Sequence, residues 1–366
     1  MALRFKQESE NHASLTTKKT NLLTLVYIHG SLLLASVIIY TYDRRDYILK
    51  AVESVLSQSV PRNSYEIIVV KGFTDDRIDD FLREKCDRVL LVPDKSHGKK
   101  LAAGIRASAG DVIFILDDDD EFAPEKLKTC LEFFSKNDRL NFLHNATVWV
   151  DETGKNLPGP AETVPQKNLA VDTSNMRRSG ISEFLRYRAN WYSSCMGFRR
   201  RIFDGRFEYI ERVNQSIDPF LFFVAISCPG EALLIPDRLS RYRVHPSTTN
   251  YLATYEDFIE SRKIFYRNSS RVFGIAVEMS KGSASASFIA AAKTQMDFIA
   301  SVLDSEVRIG EQCTGILDYV RSFNSIFTRY QILWLVMGTL RLVSFHLTSA
   351  IFFRYFARFY EQVLPT

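Results

Sequence analysis

Closely spaced cysteines are absent. The five present, Cys86, Cys130, Cys195, Cys228 and Cys313, are scattered through 366 residues. That spacing argues against a disulfide scaffold and a thiolate zinc site, and fits a reducing compartment. The chain also lacks HExxH and CxxC. A glycine-rich phosphate loop is missing: SHGKK (96–100) has no serine or threonine after its lysine, and no glycine-patterned dinucleotide loop follows the first apolar strand. Strong charge of one sign is lacking as well. The net charge of +4 is too diffuse to point to nucleic acid, although it suits anionic lipid or a polyphosphate. We see no internal repeat and no long low-complexity tract.

What is present belongs to a folding chain, 46% hydrophobic and 25% charged, with length for one large domain or two ordinary ones. Apolar runs and helical stripes alternate. ASVIIY (35–40) predicts a strand, 43–59 a helix, EIIVV (66–70) a strand, 74–86 a helix and DRVLLV (87–92) a third strand. A helix over 97–110 closed by Gly110, a strand over 111–117 and a helix opening at Pro124 follow. Four such units predict an α/β fold with a mostly parallel sheet covered by helices, whose ligands gather beyond the strand C-termini. Residues 141–155 (NFLHNATVWVDETGK) suggest a hairpin. From about 252 onward the period is helical, with breaks at RNSSRVFG (267–274) and VRIGEQ (307–312).

The run VIFILDDDDEF (112–122) places Asp117, Asp118, Asp119 and Asp120 at the end of a greasy strand. Adjacent carboxylates there can turn toward one hard cation, Mn²⁺ or Mg²⁺, which in turn could neutralise a diphosphate. The plain alternative is a solvated acidic loop that caps the following helix.

The ordered set ASVIIYTYDRRDYILKAVESVLSQ, EIIVV, HGKKLAAGIRASAGDVIFILDDDDEF and YRVHPS resembles a family 2 glycosyltransferase of the GT-A fold, over about residues 35–250. The resemblance implies a GT-A domain there, after an N-terminal extension (1–34) and before a helical C-terminal region (251–366). It implies an inverting transfer from a nucleotide-sugar donor to a hydroxyl of a glycan or lipid-linked acceptor, with no nucleic acid partner. Asp117 and Asp119 match the metal-binding Asp-x-Asp, Asp118 lies between them beside the donor, and His245 of RYRVHPS would complete the metal site. Thr41, Tyr42 and Asp43 match the nucleobase pocket, Gly98, Lys99 and Ala102 the helix passing the donor, and Arg243 a position near the phosphates. Lys71 stands in VVKGFTDD where the family often has aspartate; Asp75 or Asp76 could compensate for it. For the catalytic base, Asp218 of ERVNQSIDPFLFFVA precedes a hydrophobic helix, with Ile217 where a glutamate is frequent. Its plain alternative is a helix N-cap, and Glu211 is the reserve. A non-catalytic binder of nucleotide-sugar or glycan on the same fold is the competing function.

Two runs raise a membrane. Residues 21–40 are nearly long enough to cross a bilayer, but 36–41 reads as a strand. The run 332–353 predicts a buried, surface-lying or spanning helix, the last only if Arg341 finds a partner. Arg, Tyr and Phe interleaved after it suit a headgroup boundary. This places the protein on the cytoplasmic face of the cell membrane, peripheral or with a C-terminal membrane segment.

Overall fold

The structure, a computed structural model, describes residues 33–158, 164–175, 178–244, 255–323 and 329–361. In chain order the first elements are β1 (Ala35–Thr41), α1 (Ile48–Leu56), β2 (Tyr65–Lys71), α2 (Asp76–Lys85), β3 (Arg88–Leu91), α3 (His97–Ala107) and β4 (Val112–Asp117). Then come β5 (Glu121–Phe122), α4 (Lys126–Lys136), β6 (Leu140–Val150), β7 (Asn156–Leu157), β8 (Leu169–Asp172), α5 (Arg178–Arg186) and β9 (Met196–Arg199). The chain continues through α6 (Phe207–Glu211), α7 (Ile217–Ile226) and β10 (Glu231–Arg243). It ends in five helices: α8 (Tyr255–Met279), α9 (Ala286–Val302), α10 (Ile309–Arg321), α11 (Arg329–Val343) and α12 (Phe345–Glu361).

Side-chain alternation in the strands decides the architecture. In β1, Val37 and Ile39 enter one buried cluster and Ile38 and Tyr40 another, so both sheet faces need cover. Helices α1, α2 and α4 cover the Val37 face with residues such as Val52, Leu82 and Phe134. The opposite face packs on α3, α7 and α8 through Ile105, Phe222 and Phe273. The strand order is β3-β2-β1-β4-β9-β6-β10-β5, with β7 on β6 and β8 on β10. β1 runs parallel to both β2 and β4, and the register sets Thr41 against Lys71 and Tyr40 against Asp117. The C-termini of these strands therefore form one rim. The α/β architecture with a helical C-terminal extension is as the sequence predicts.

Several local expectations are corrected. Helix α1 starts at Ile48, not near 43, because Asp43–Tyr47 are engaged as a loop: the Thr41 hydroxyl donates to the Arg44 carbonyl at 3.2 Å, and Arg45 pairs with Asp43 and Asp75. Gly110 does not cap α3. The helix ends at Ala107, and Glu66 and Ser36 accept the amides of Ala109 and Gly110 at 2.5 and 2.8 Å. A Cβ on Gly110 would lie 2.6 Å from the Ser36 amide nitrogen, so the glycine serves close approach to β1. RNSSRVFG does not break the helix; α8 runs through it. Its polar side chains bond outward, Ser270 to Asp297 and Asn268 to Gln215, instead of competing for the helix backbone. The break near VRIGEQ is real, falling between α9 and α10.

The run 332–353 is two helices rather than one. The Ser344 hydroxyl accepts the Leu347 amide at 3.2 Å, capping α12 and ending α11. Arg341 finds its partners inside the protein: its guanidinium donates to the carbonyls of Asp304, Ser305 and Val307 at 2.8, 3.3 and 3.1 Å. With 15 residues, α11 spans roughly 22 Å at 1.5 Å per residue, short of a bilayer core of roughly 30 Å. Among the described residues no helix is long and apolar enough to cross a membrane. The preceding run over 21–32 lies outside the described residues.

Gly98 shows how the fold sets the rim. Its amide donates to the Val213 carbonyl at 2.8 Å, and a Cβ there would sit 1.8 Å from the Ile210 carbonyl oxygen. Gly98→Ala must push α6 and the following loop away from α3. We expect a loss of about 1–3 kcal/mol, seen as an earlier urea-unfolding midpoint.

Candidate active site

The rim of β1, β2 and β4 opens into a cleft of about 1810 Å³. Its floor is the chain from Tyr40 to Asp46, Asp94 to His97 with Lys100, and Asp117 to Asp119. The loops around Trp191 and Asp218 form its far side. The remaining wall comes from the C-terminal helices: Arg262, Phe265, Tyr266, Ser269 and Phe273 make one stripe of α8, and Phe288, Ala292, Gln295 and Met296 one stripe of α9.

The four aspartates face different partners. Asp117, next to Tyr40 in the sheet register, accepts the Ser193 hydroxyl at 3.0 and 2.9 Å on its two oxygens. Burial, then the charges of Asp218 and Asp119, push its carboxyl up to about 8, against the pull of the Tyr40 and Ser193 hydroxyls. Asp118 and Asp119 pair with the Arg44 guanidinium, Asp118 at 3.2 Å. Burial opposes the charge on Arg44, but Asp119 and Asp118 outweigh it and hold its pKa up. Asp120 accepts the Arg243 amide at 2.9 Å on Oδ1, and its Oδ2 is buried with no hydrogen-bond partner among the described residues. Burial and the charges of Asp119 and Asp117 raise its carboxyl too.

Asp218 lies in the first turn of α7 and accepts the Tyr192 amide at 3.1 Å. Burial raises its carboxyl to about 6, while the bonds from Tyr192 and Ser193 restrain the rise. The segment Tyr192–Ser194 thus touches both acids. Tyr192 holds Asp218, Ser193 holds Asp117, and the Ser194 hydroxyl accepts the Asp117 amide at 3.0 Å. Beneath it, the buried Lys126 ammonium donates to the Ser194 carbonyl and Asn145 at 2.7 Å each, and to Ser240 at 3.0 Å. Arg188, Tyr192 and Ser216, with φ of 56°, 62° and 53°, are the non-glycine residues in the left-handed region among the described residues, and all line the cleft.

The cleft therefore gathers Thr41, Tyr42, Asp43, Asp117, Asp118, Asp119 and Asp218 of the residues singled out in the sequence. Others stand behind it. Arg243 is fully buried: it donates to the carbonyls of Asp119, Asp151 and Glu152 at 2.9, 2.9 and 3.0 Å and pairs with Glu121. It braces the acidic loop. Lys71 is also buried, donating to the Phe73 carbonyl at 2.6 Å and pairing with Asp79 at 2.8 Å. Asp75 caps α2 through the Ile78 amide. Gly98 and Ala102 are packed inside, Lys99 pairs with Asp94 on the surface, and Glu211 pairs with Arg106. His245 lies outside the described residues. Sequence reasoning missed Arg44, Lys100 and the Trp191–Ser194 segment. Lys100 lines the cleft with its ammonium 5.0 Å from the Tyr42 ring centre.

Comparison with known proteins agrees with this geometry. An uncharacterized glycosyltransferase of Rickettsia bellii is 33% identical over 126 residues, covering 33% of this chain and 18% of that protein. Another from Nostoc sp. is 28% identical over 151 residues, covering 38% of this chain and 46% of that one. The chain thus spans less than half the length of these curated relatives. Among solved structures, S. aureus TarS 1–349 superposes with a TM-score of 0.59 at 15% identity, over 88% of this chain and 92% of that one. Its UDP complex superposes with a TM-score of 0.56 at 17% identity, with the same coverage. At such identity the likeness shows the fold. The profile of glycosyl transferase family 2 matches residues 36–207. Over that region, just under half of the chain, the sequence is similar to glycosyl transferase family 2.

Proposed function

We propose that this glycosyltransferase moves a sugar from a nucleotide-sugar, bound at the acidic rim, to a hydroxyl of a glycan or lipid-linked acceptor, with inversion. The observation behind this reading is the pairing of Asp117 and Asp218 across one cleft, each held by the segment Tyr192–Ser194. Crystal structures of S. aureus TarS 1–349 with UDP and with UDP-GlcNAc support a donor of this class. The nucleobase end is Thr41, Tyr42 and Asp43, and Lys100 and Arg44 supply positive charge toward the phosphates.

Asp117 and Asp119 would hold a divalent cation, Mn²⁺ or Mg²⁺, with His245 as a further donor. Among the described residues no group of three or more His, Cys, Asp or Glu side chains converges as a metal cluster. The donor chemistry nevertheless suits a hard cation: oxygen ligands, an Asp117 carboxyl raised by burial and by the charges of Asp218 and Asp119, and a guanidinium drawn in between Asp118 and Asp119. Bound there, the cation would neutralise charge on a diphosphate leaving group. Asp218 takes the proton from the acceptor hydroxyl. The hydrogen bond it accepts from the Tyr192 amide fixes the carboxylate, and the burial that raises its pKa makes it a stronger base.

Attachment to a membrane surface fits α11 and α12. Ile332, Val336, Val343, Leu347 and Ile351 are exposed along them, Val343 by 81%, while Trp334, Met337 and Phe352 turn into the helical core. Exposed Arg354 adjoins the stripe. We read the protein as peripheral on the cytoplasmic face.

Four measurements test these readings. A thermal-shift titration with UDP-sugars and Mn²⁺ or Mg²⁺ should stabilise the wild type and leave Asp119→Asn unmoved; indifference of the wild type to both ion and nucleotide would remove the transferase reading. Asp218→Asn should bind donor normally but lose transfer by about 10²–10⁴-fold. Wild-type rate should fall as pH drops through about 6, where Asp218 gains a proton and can no longer accept one. A protein that binds donor yet neither transfers nor hydrolyses it at any pH is the non-catalytic binder. Finally, the wild type should float with phosphatidylglycerol vesicles and the Val343→Asp/Leu347→Asp variant should not; a wild type left at the bottom of the gradient rules out attachment.

A further inference from the structure

The cleft is larger than one small molecule needs. Ligand pockets are typically about 300–1,000 Å³, whereas this one is about 1810 Å³. Its polar end is the acidic rim. Its other end is aromatic, where Trp191 meets Phe265 of α8, ring centres 6.3 Å apart and planes at 21°. Stacking covers one face of the indole, yet Trp191 remains 45% exposed and lines the cleft. A large apolar ring left half in water, on the wall of a polar cleft, is a surface for a ligand with an apolar face.

The position of this ring is fixed relative to the proposed base. Trp191 directly precedes Tyr192, whose amide donates to Asp218 at 3.1 Å. Its carbonyl contacts His144 Nε2 at 2.9 Å, and its own amide donates to the Arg188 carbonyl at 2.9 Å. Burial keeps the His144 pKa low, near 4, so the neutral ring donates through Nε2 to that carbonyl. The backbone under the indole is therefore held on both sides, and the side chain inherits that order.

We infer that Trp191, backed by Phe265, is the platform on which a pyranose ring of the acceptor stacks, presenting a hydroxyl to Asp218. A pyranose with equatorial hydroxyls turns its axial C–H bonds to one face, and those weakly positive hydrogens suit the negative face of an indole. This deepens the transferase reading and rests on it for the role of Asp218. It also gives the C-terminal helices a part in acceptor selection, since Phe265 belongs to α8.

The test separates the two readings. Methyl β-glucopyranoside is titrated into the full chain without donor, with tryptophan fluorescence and saturation-transfer NMR as readouts, and glycerol as a ringless control. Trp149 and Trp334 are buried, at 6% and 1% exposure, so Trp191 is the tryptophan most open to quenching, and loss of the signal in Trp191→Ala assigns it. The wild type should bind the glycoside and not glycerol. Trp191→Ala should weaken this by about tenfold or more, Trp191→Phe should retain part of it, and UDP binding with Mn²⁺ should be unchanged in both variants. In transfer assays with UDP-sugar, Trp191→Ala should raise acceptor KM while leaving hydrolysis of the donor by water intact. Equal glycoside binding by wild type and Trp191→Ala, or an equal loss of UDP binding in Trp191→Ala, overturns the platform. Glycoside binding through Trp191 in a protein that ignores UDP-sugars would keep the platform and sink the transferase reading instead.

Discussion

Two carboxylates that repel each other are held close by a segment that bonds to both. Asp117 ends β4 and Asp218 lies in the first turn of α7, far apart in the sequence; burial raises both carboxyls, and the charge of Asp218 raises Asp117 further. Left alone, such groups would separate or take up protons. Hydroxyl and amide donors from Tyr192 and Ser193 hold them, while Ser194 supports the Asp117 backbone. That segment is anchored from below by Lys126, whose three bonds satisfy a fully buried ammonium. The site depends on this chain of polar contacts more than on any single residue.

Positive charge around the acids is layered. Arg243 grips the backbone of the acidic loop from inside and never reaches the cleft, whereas Arg44 meets Asp118 and Asp119 at its edge, half-exposed. A buried brace must stay, because removing it would strand the carbonyls it satisfies. A half-exposed partner can move when a stronger cation or a phosphate competes, since water replaces its bonds at little cost. The two arginines thus divide rigidity from responsiveness.

The sheet was legible because apolar strands with helical stripes between them admit few arrangements, and the acidic knot at the end of 112–117 announced the rim. The place of Asp218 in the cleft was legible from its position before a hydrophobic helix. Arg44 was hidden inside a segment read as helix; its loop is set by long-range pairing that no local pattern records. Lys99 was favoured over Lys100, yet only the turn of α3 decides which ammonium enters the cleft. Trp191–Ser194 gives no periodic signal, being a turn with left-handed backbone at Tyr192. The cleft wall in α8 could have been found: 262, 265, 266, 269 and 273 keep helical spacing through the polar stretch mistaken for a break.

Arg188, Tyr192 and Ser216 hold backbone shapes that glycine would adopt freely, each at a cost of about 1–3 kcal/mol. Selection for heat resistance would be drawn to these three positions, where glycine relieves strain. Yet glycine would also widen the range of shapes open to the loops that aim both acids. These strained residues are therefore ones a stabilised descendant could not easily surrender without blunting its chemistry.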